Sequence, residues 1–457
     1  MLQKFPQKED NPPEPQKSAQ PLLKVLFITY YWPPSGGAGV QRCLKFVKHL
    51  PEFGIEPTVI TVDENEGSYP LFDQSLLSEI PAGVRVFRTS TSEPFEYYKK
   101  LTGKKEIPYG GFANEKKTGF VQKLFKFLRG NLFIPDARVG WNKHALRKCA
   151  ELLKTEKFDA VITTSPPHSS QLIGLELQKK YGLRWIADLR DPWTDIYYYK
   201  DLAHTLLAKK LDEKYERNVI EKSDALLVTS ADTKRLFLNK SPKVDPHKVH
   251  VLPNGYDEAD FHFDSEPPQD MFCLTYTGTI TDTYNIETFL QAFAENARRH
   301  SDIKFLLRFV GKVSAEVHKQ IKEANLLYCT EFIAFVPHRE SIQYLMRSTA
   351  LLMAVPDVEN NFCILPGKLF EYLASNKQII CIGPVSSDAD TIIDECGAGR
   401  TFTYDGYDLM LDHLDTMSRN WKVNPNLDLP YINYSRYSRR ALTGKLAELI
   451  RKKEEKR

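Results

Sequence analysis

Pro366-Gly367-Lys368-Leu369-Phe370-Glu371-Tyr372-Leu373-Ala374 is the stretch whose reading decides the fold. Before it runs Ala350-Leu351-Leu352-Met353-Ala354-Val355, closed by Pro356; after it comes Gln378-Ile379-Ile380-Cys381-Ile382-Gly383-Pro384. Two short apolar runs around a segment of helical composition read as strand, loop, helix, strand. Pro366 and Gly367 mark the helix start, where free N–H groups and the positive dipole end favour an anion. Lys368 adds a positive charge there. Glu371 lies three residues on, on a similar face. An anion-binding end beside one acceptor carboxylate suits a nucleoside diphosphate, with Lys368 and N–H groups on the phosphates and Glu371 on the ribose hydroxyls. Taken alone, the stretch fits a capped surface helix with an incidental Lys–Glu pair equally well.

Outward from this point the alternation of strand and helix repeats. Towards the N-terminus, residues 24–30 read as a buried strand, 31–39 as a Gly-rich loop, 40–50 as a helix and 58–62 as a strand, a β-α-β opening. Gly36-Gly37-Ala38-Gly39 does not match G-x-G-x-x-G, so a nicotinamide-binding reading is weak. Glycine backbone can still come close to a phosphate or sugar, although a plain tight turn accounts for the loop as well. Residues 159–164 form a strand followed by Ser165-Pro166-Pro167-His168 and a helix to 180. The strand 184–187 runs into Asp188-Leu189-Arg190-Asp191-Pro192-Trp193. Parallel strand ends carry the ligands of α/β folds, so His168, Asp188, Arg190 and Asp191 are expected on one rim. The competing readings are a capping or core histidine and a structural ion pair. A charged helix spans 201–222, and strands follow at 225–229 and 249–252.

Pro253-Asn254-Gly255-Tyr256-Asp257 is a turn signature, and residues 258–270 read as a linker. The pattern then restarts with strands at 272–276, 305–310 and 331–334 and helices at 285–299, 314–325 and 341–346. After the opening stretch comes a helix at 388–395. The fold class expected is α/β, with two doubly wound Rossmann-like domains facing a cleft. The boundaries expected are a disordered tail over 1–20, a first domain over 21–256 and a second over 257–433, with a final helix at 434–457 crossing back to the first.

Composition narrows the function classes. The 457 residues carry a net charge of only +3, which gives no general case for nucleic-acid binding. Seven scattered Cys without a C-x-x-C pair fit neither a disulfide framework nor a zinc site. No apolar run approaches the roughly 18 residues of a membrane span. The polar, Pro-rich first 20 residues lack a secretory core, so a cytoplasmic protein is expected. Residues 99–129 hold nine basic side chains, Lys116, Lys117, Lys123 and Lys126 among them, against Glu106 and Glu115. Their apolar and basic positions alternate at helical spacing over 120–129, which suits an anionic membrane surface as well as a solvated insertion. A peripheral location on the inner membrane face is therefore compatible with the sequence.

From residue 24 to the C-terminus the chain resembles the retaining glycosyltransferases of family 4, which have the GT-B fold. The motifs run in the family's order. They are Tyr31-Trp32-Pro33-Pro34 with Gly36, Gly37 and Gly39; Ile134-Pro135-Asp136 with Trp141; Ser-Pro-Pro-His168; and Asp188-x-Arg190-Asp191-Pro-Trp193. There follow Leu252-Pro253-Asn254-Gly255, Tyr276-Thr277-Gly278-Thr279, Phe335-Val336-Pro337-His338, the stretch 366–374, and Ile382-Gly383-Pro384. Each is short; their shared order is the specific signal.

The resemblance implies a role for each position. Gly36, Gly37 and Gly39 would approach the donor phosphates and sugar. Gly367 and Lys368 would neutralise the leaving diphosphate, and Glu371 would hold the ribose. The backbone at Phe335 and Val336 would read the base. His168 would face the reacting sugar, its ring kept neutral by a helix N-terminus. Asp188, Arg190 and Asp191 would line the acceptor side. Fixed positive groups would make a metal or other cofactor unnecessary, with electrostatic stabilisation as the main catalytic effect. Asp388-Ala389-Asp390 resembles a metal-binding pair but reads as a helix start.

The resemblance also departs from the family at two places. The family often has a Glu on the sugar where Cys363 stands, and an Arg and a Lys where residues 279–285 have neither. Lys368 would then carry the charge, with Lys312 a weaker candidate. The activity implied is transfer of a hexose-type sugar from a nucleotide sugar, with retention, to a lipid-linked or polysaccharide acceptor in cell-envelope or exopolysaccharide synthesis. The alternatives are a nucleotide-sugar epimerase on the same fold and a catalytically inactive sugar-nucleotide-binding or scaffold protein.

Overall fold

The computed structural model describes residues 22–93, 127, 130–202, 204–262, 266–425 and 432–452. The N-terminal tail and the basic segment 99–129, save Phe127, lie outside the described residues, so the expectations of a disordered tail and of membrane contact fall there.

The first sheet has seven parallel strands: β1 (Leu23–Ile28), β2 (Ile55–Val62), β3 (Arg85–Thr89), β4 (Ala160–Ser165), β5 (Trp185–Leu189), β6 (Ala225–Val228) and β7 (Val249–Val251). Their spatial order is β3-β2-β1-β4-β5-β6-β7. The second has six: β8 (Phe272–Thr277), β9 (Phe305–Val310), β10 (Thr330–Ile333), β11 (Ala350–Ala354), β12 (Gln378–Ile382) and β13 (Gly399–Phe402), in the order β10-β9-β8-β11-β12-β13. Central strands such as β4, β8 and β11 are buried at every residue because helices cover both faces of a parallel sheet. Two Rossmann-like domains result.

Helices show one-sided burial. In Ala38–His49, Val40, Leu44 and Val47 turn into a core shared with β1 and β2. The same core takes Leu442, Leu446 and Ile450 from the last helix, Arg439–Arg451. The chain thus leaves the first sheet near Asn254, builds the second, and returns to the first. The two crossings touch: Tyr256 N donates to Tyr437 O, and Arg439 N donates to Tyr256 O at 2.7 Å. A Cβ on Gly255 would collide with the Tyr437 carbonyl, so glycine is required there.

The sequence expectations departed from the structure mainly at sheet edges. Strands β3 and β13 and the helices Asn142–Thr155, Ala231–Lys240 and Tyr407–Val423 were not foreseen. The helix expected over 341–346 begins earlier, at His338. The final helix is preceded by a separate 3-10 turn, Tyr434–Tyr437. The Asp388–Glu395 helix starts with Ser387 as its cap, whose side chain accepts from Asp390 N. Asp388 itself accepts from Asp232 N of the first domain at 3.0 Å.

Candidate active site

In each sheet the strand order reverses once, between β1 and β4 and between β8 and β11. Crevices open at such switch points beyond the strand ends. The loops after β1, β4 and β5 and those after β11 converge on one cavity of about 600 Å³ between the domains. Gly37, His168, Arg190 and Asp191 line it from the first domain, and Cys363 and Gly367 from the second.

His168 immediately precedes the helix Ser169–Tyr181 but makes no side-chain cap. Asp136 caps instead, from a distance: its carboxylate accepts from Ser169 N at 2.7 Å and from Ser169 Oγ at 2.9 Å. The imidazole stacks on Trp193, with centroids 4.6 Å and planes 14° apart. Trp193 Nε1 donates to Asp212 at 2.8 Å, and Tyr199 OH donates to the same carboxylate at 2.8 Å. His168 Nδ1 is shielded and has no hydrogen-bond partner among the described residues. Burial, then Arg190 and Lys240, pull its pKa down to about 3. The ring is therefore neutral, through desolvation and nearby cations more than through a helix end.

Arg190 is fixed by Nε and Nη2 donating to the carbonyls of Ser165 (2.9 Å) and Pro166 (3.0 Å). Its guanidinium occupies the space a Cβ on Gly39 would need, which explains that glycine. Asp191 lies beside it, its carboxyl raised by burial against the lowering charge of Arg190. Asp188, expected on the same acceptor side, is corrected by the structure. It is buried and accepts from Arg42 Nε at 3.1 Å, Arg42 Nη2 at 2.8 Å and Thr164 Oγ1 at 2.9 Å. Asp188 lies within β5, which is buried along its whole length, whereas Arg190 and Asp191 follow the strand end and reach the rim.

On the second domain Lys368 opens the helix Lys368–Ala374. Its Nζ donates to Thr277 O, the end of β8, at 2.8 Å and sits 3.6 Å from the centroid of the Tyr276 ring. Burial pulls its pKa down to about 7 against the charge of Glu371, so the amine carries only part of the positive charge expected at neutral pH. Tyr372 OH accepts from Thr277 N at 3.0 Å, pinning the same strand end. Glu371 pairs with His338, Nε2 to Oε1 at 2.9 Å. Burial opposes protonation of His338, but Glu371 and Asp260 outweigh it and raise its pKa to about 9. The sequence shows His338 only as the end of the Phe335-Val336-Pro337-His338 motif, because a partner on another helix leaves no local signal. Phe335 itself is 73% exposed and stands at the helix approach rather than in the cavity. Lys312 is exposed.

Contacts that bridge the domains at the cleft include, among the described residues, Asn360 Nδ2 to Asp195 O (3.3 Å), Lys200 to Glu359 (3.4 Å) and Asp232 to Asp388. Among the described residues no group of three His, Cys, Asp or Glu side chains is placed to hold a metal, and no helix is long and apolar enough to cross a membrane.

Two facing Rossmann-like domains with the cleft at their paired switch points make up the GT-B architecture. Residues 112–260 match the family model described as Glycosyltransferase Family 4, and residues 257–426 the one described as Glycosyl transferases group 1. The chain belongs to the GT-B glycosyltransferases of the family 4 type. Among solved structures it is similar to sucrose-phosphate synthase from Thermosynechococcus elongatus, at 14% identity and a TM-score of 0.58 over 94% of this chain and 98% of that one. The Anabaena protein HepE in complex with UDP-glucose aligns at 12% identity and a TM-score of 0.56, over 94% and 99%. WaaG, a glycosyltransferase involved in lipopolysaccharide biosynthesis, aligns at 14% and 0.53, over 94% and 100%. These likenesses concern the fold. No curated protein sequence matches the chain.

Proposed function

We propose that this glycosyltransferase moves a hexose-type residue from a nucleotide sugar, with retention and without a metal, to a lipid-linked or saccharide acceptor in cell-envelope or exopolysaccharide synthesis. One observation carries the reading: Cys363 and Gly367, the residue before Lys368, on one side of a single cleft face His168, Arg190 and the Gly36–Gly37–Gly39 loop on the other. Gly367 and Lys368 would meet the diphosphate, whose charge would restore the proton that burial removes from the amine. Glu371 engages His338 through one oxygen. The other is left for the ribose hydroxyls, since a carboxylate accepts several hydrogen bonds. Phe335 and Val336 offer an edge for the base. His168, neutral and stacked, would hydrogen-bond the sugar at the reacting centre. Asp191 and Arg190 would receive the acceptor.

The inactive-scaffold alternative rests on Cys363 and on residues 279–285. Lys368 already places an amine at that strand end, which favours the enzyme. The basic segment 99–129 would hold the protein at an anionic membrane bearing the acceptor; salt-insensitive sedimentation with vesicles would contradict this. The reading is tested by incubating the purified protein with a panel of nucleotide sugars, beginning with UDP-glucose, the ligand of HepE. The anomeric configuration of the product is then read by NMR. Retention is expected; inversion, or epimerised free nucleotide sugar, would overturn it.

A further inference from the structure

The helix Leu206–Lys222 packs against the loop that follows β5 and turns two carboxylates inward, Asp212 and Glu216, 1% and 2% exposed. They stand four residues apart, on one face of the helix. Together they hold two consecutive residues of that loop. Asp212 accepts from Trp193 Nε1 at 2.8 Å; Glu216 accepts from Thr194 Oγ1 at 2.6 Å and from Thr194 N at 3.3 Å. Lys240 neutralises Glu216 at 2.5 Å. No cation pairs with Asp212 among the described residues; its second oxygen accepts from Tyr199 OH at 2.8 Å. Burial pushes the Asp212 carboxyl up to about 7 against the lowering effect of these two hydrogen bonds. A buried carboxylate without a cation is costly, and an apolar side chain would fill this helix face at lower cost. Packing alone therefore does not account for Asp212.

Its effect is to fix Trp193. The indole has a single N–H, and Asp212 takes it, which sets the rotation of the ring. The His168 imidazole lies on that ring, with centroids 4.6 Å and planes 14° apart. His168 Nδ1 has no hydrogen-bond partner among the described residues, so the stack, and not a hydrogen bond there, orients the imidazole. His168, Trp193, Asp212 and Tyr199 all line the cavity between the domains. We propose that Asp212 is a positioning residue for the transfer reaction, which acts through Trp193 to hold the His168 ring in the plane from which it meets the donor sugar. The inference rests on the reading of His168 as facing the reacting sugar.

The test is a double-mutant cycle in turnover of the nucleotide sugar that the purified protein accepts, with calorimetric binding of UDP, GDP and ADP alongside. Asp212→Leu removes both acceptors at similar volume; Asp212→Asn keeps one for the indole. Asp212→Leu should lower kcat about tenfold or more, the scale of a small misplacement of a reacting group. Donor KM, and affinity for the diphosphate that binds, should stay within about twofold. Asp212→Asn should recover kcat to within about threefold of the wild type. In a His168→Ala background Asp212→Leu should change kcat less than about twofold, since no ring is left to position. Equal losses of kcat in both backgrounds, a diphosphate affinity that falls as far as kcat, or wild-type kcat in Asp212→Leu overturns the inference. Should Asp212→Leu fail to fold, Trp193→Phe takes its place in the cycle, keeping a ring to stack and losing the N–H, and the same outcomes decide. If His168→Ala loses turnover while the Asp212 variants do not, this inference alone fails. Full turnover in His168→Ala, or no turnover of any nucleotide sugar by the wild type, overturns the donor-site reading and the inference with it.

Discussion

Lys368, which follows the cleft residue Gly367, has its pKa pulled down to about 7, because burial disfavours its ammonium. An incoming diphosphate would raise that value, so the bound protein would hold more protons than the free one between about 7 and the ordinary lysine range. Affinity should then fall as pH rises through that window. Calorimetry at pH 8 in buffers of different ionisation enthalpy should show proton uptake on binding; none would contradict the assignment. Lys368→Ala should abolish the uptake. His168 behaves differently. With a pKa near 3 it stays neutral across the working range, so no inflection near 6.5 in the rate profile should disappear in His168→Ala. That variant should cut turnover by about 10²-fold or more, the scale of a lost transition-state hydrogen bond, with nucleoside diphosphate affinity almost unchanged. A lowered Tm with normal turnover would instead mark a structural histidine. Residue identity made His168 and Lys368 visible in the sequence, and the neutral ring of His168 was expected there from a helix end. The burial, Arg190 and Lys240 that lower its pKa, and the burial that lowers that of Lys368, were not legible, because they depend on residues remote in the chain.

At the scale of elements, the site loops are held by two devices. Asp136 caps the helix Ser169–Tyr181 from 33 residues away, and Arg42 ties the helix Ala38–His49 to the end of β5 through Asp188. Both partners of the second device are fully buried. Asp188→Asn leaves Arg42 uncompensated and should cost about 3–5 kcal/mol, the scale for breaking a buried pair. A Tm drop on the order of 10 °C is expected for a domain of this size. A drop below about 2 °C, with turnover lost, would return Asp188 to the acceptor side. The sequence showed the Ile134-Pro135-Asp136 and Asp188-x-Arg190-Asp191 motifs but not these uses, since caps and ion pairs across the fold leave no local period. Edge strands were illegible for a related reason. β3 is half-buried throughout and carries Arg85 and Arg88, and β13 begins with Gly399, so neither shows the apolar run of a central strand. The helix Asn142–Thr155 buries Ala145, Cys149 and Leu152, a spacing whose small side chains give a faint pattern. Tyr407–Val423 carries a clearer one in Met410, Leu411, Leu414 and Met417.

The whole molecule brings two sheets together so that their strand-order reversals face each other. That arrangement followed from the alternating pattern restarted after Asp257 and from the order of the motifs. How the halves engage did not follow, because it depends on contacts such as Asn360 to Asp195 and on the buried seam of Tyr256, Tyr437 and Arg439. The central claim is that this cleft holds a nucleotide-sugar donor and passes its sugar to an acceptor. The most direct measurement is release of nucleoside diphosphate from a panel of nucleotide sugars by the purified full-length chain, with and without lipid-linked and saccharide acceptors. The account predicts release from one donor, accelerated by one acceptor class and lowered by orders of magnitude in Lys368→Ala. Equal release with and without every acceptor, or full activity in Lys368→Ala, would contradict it.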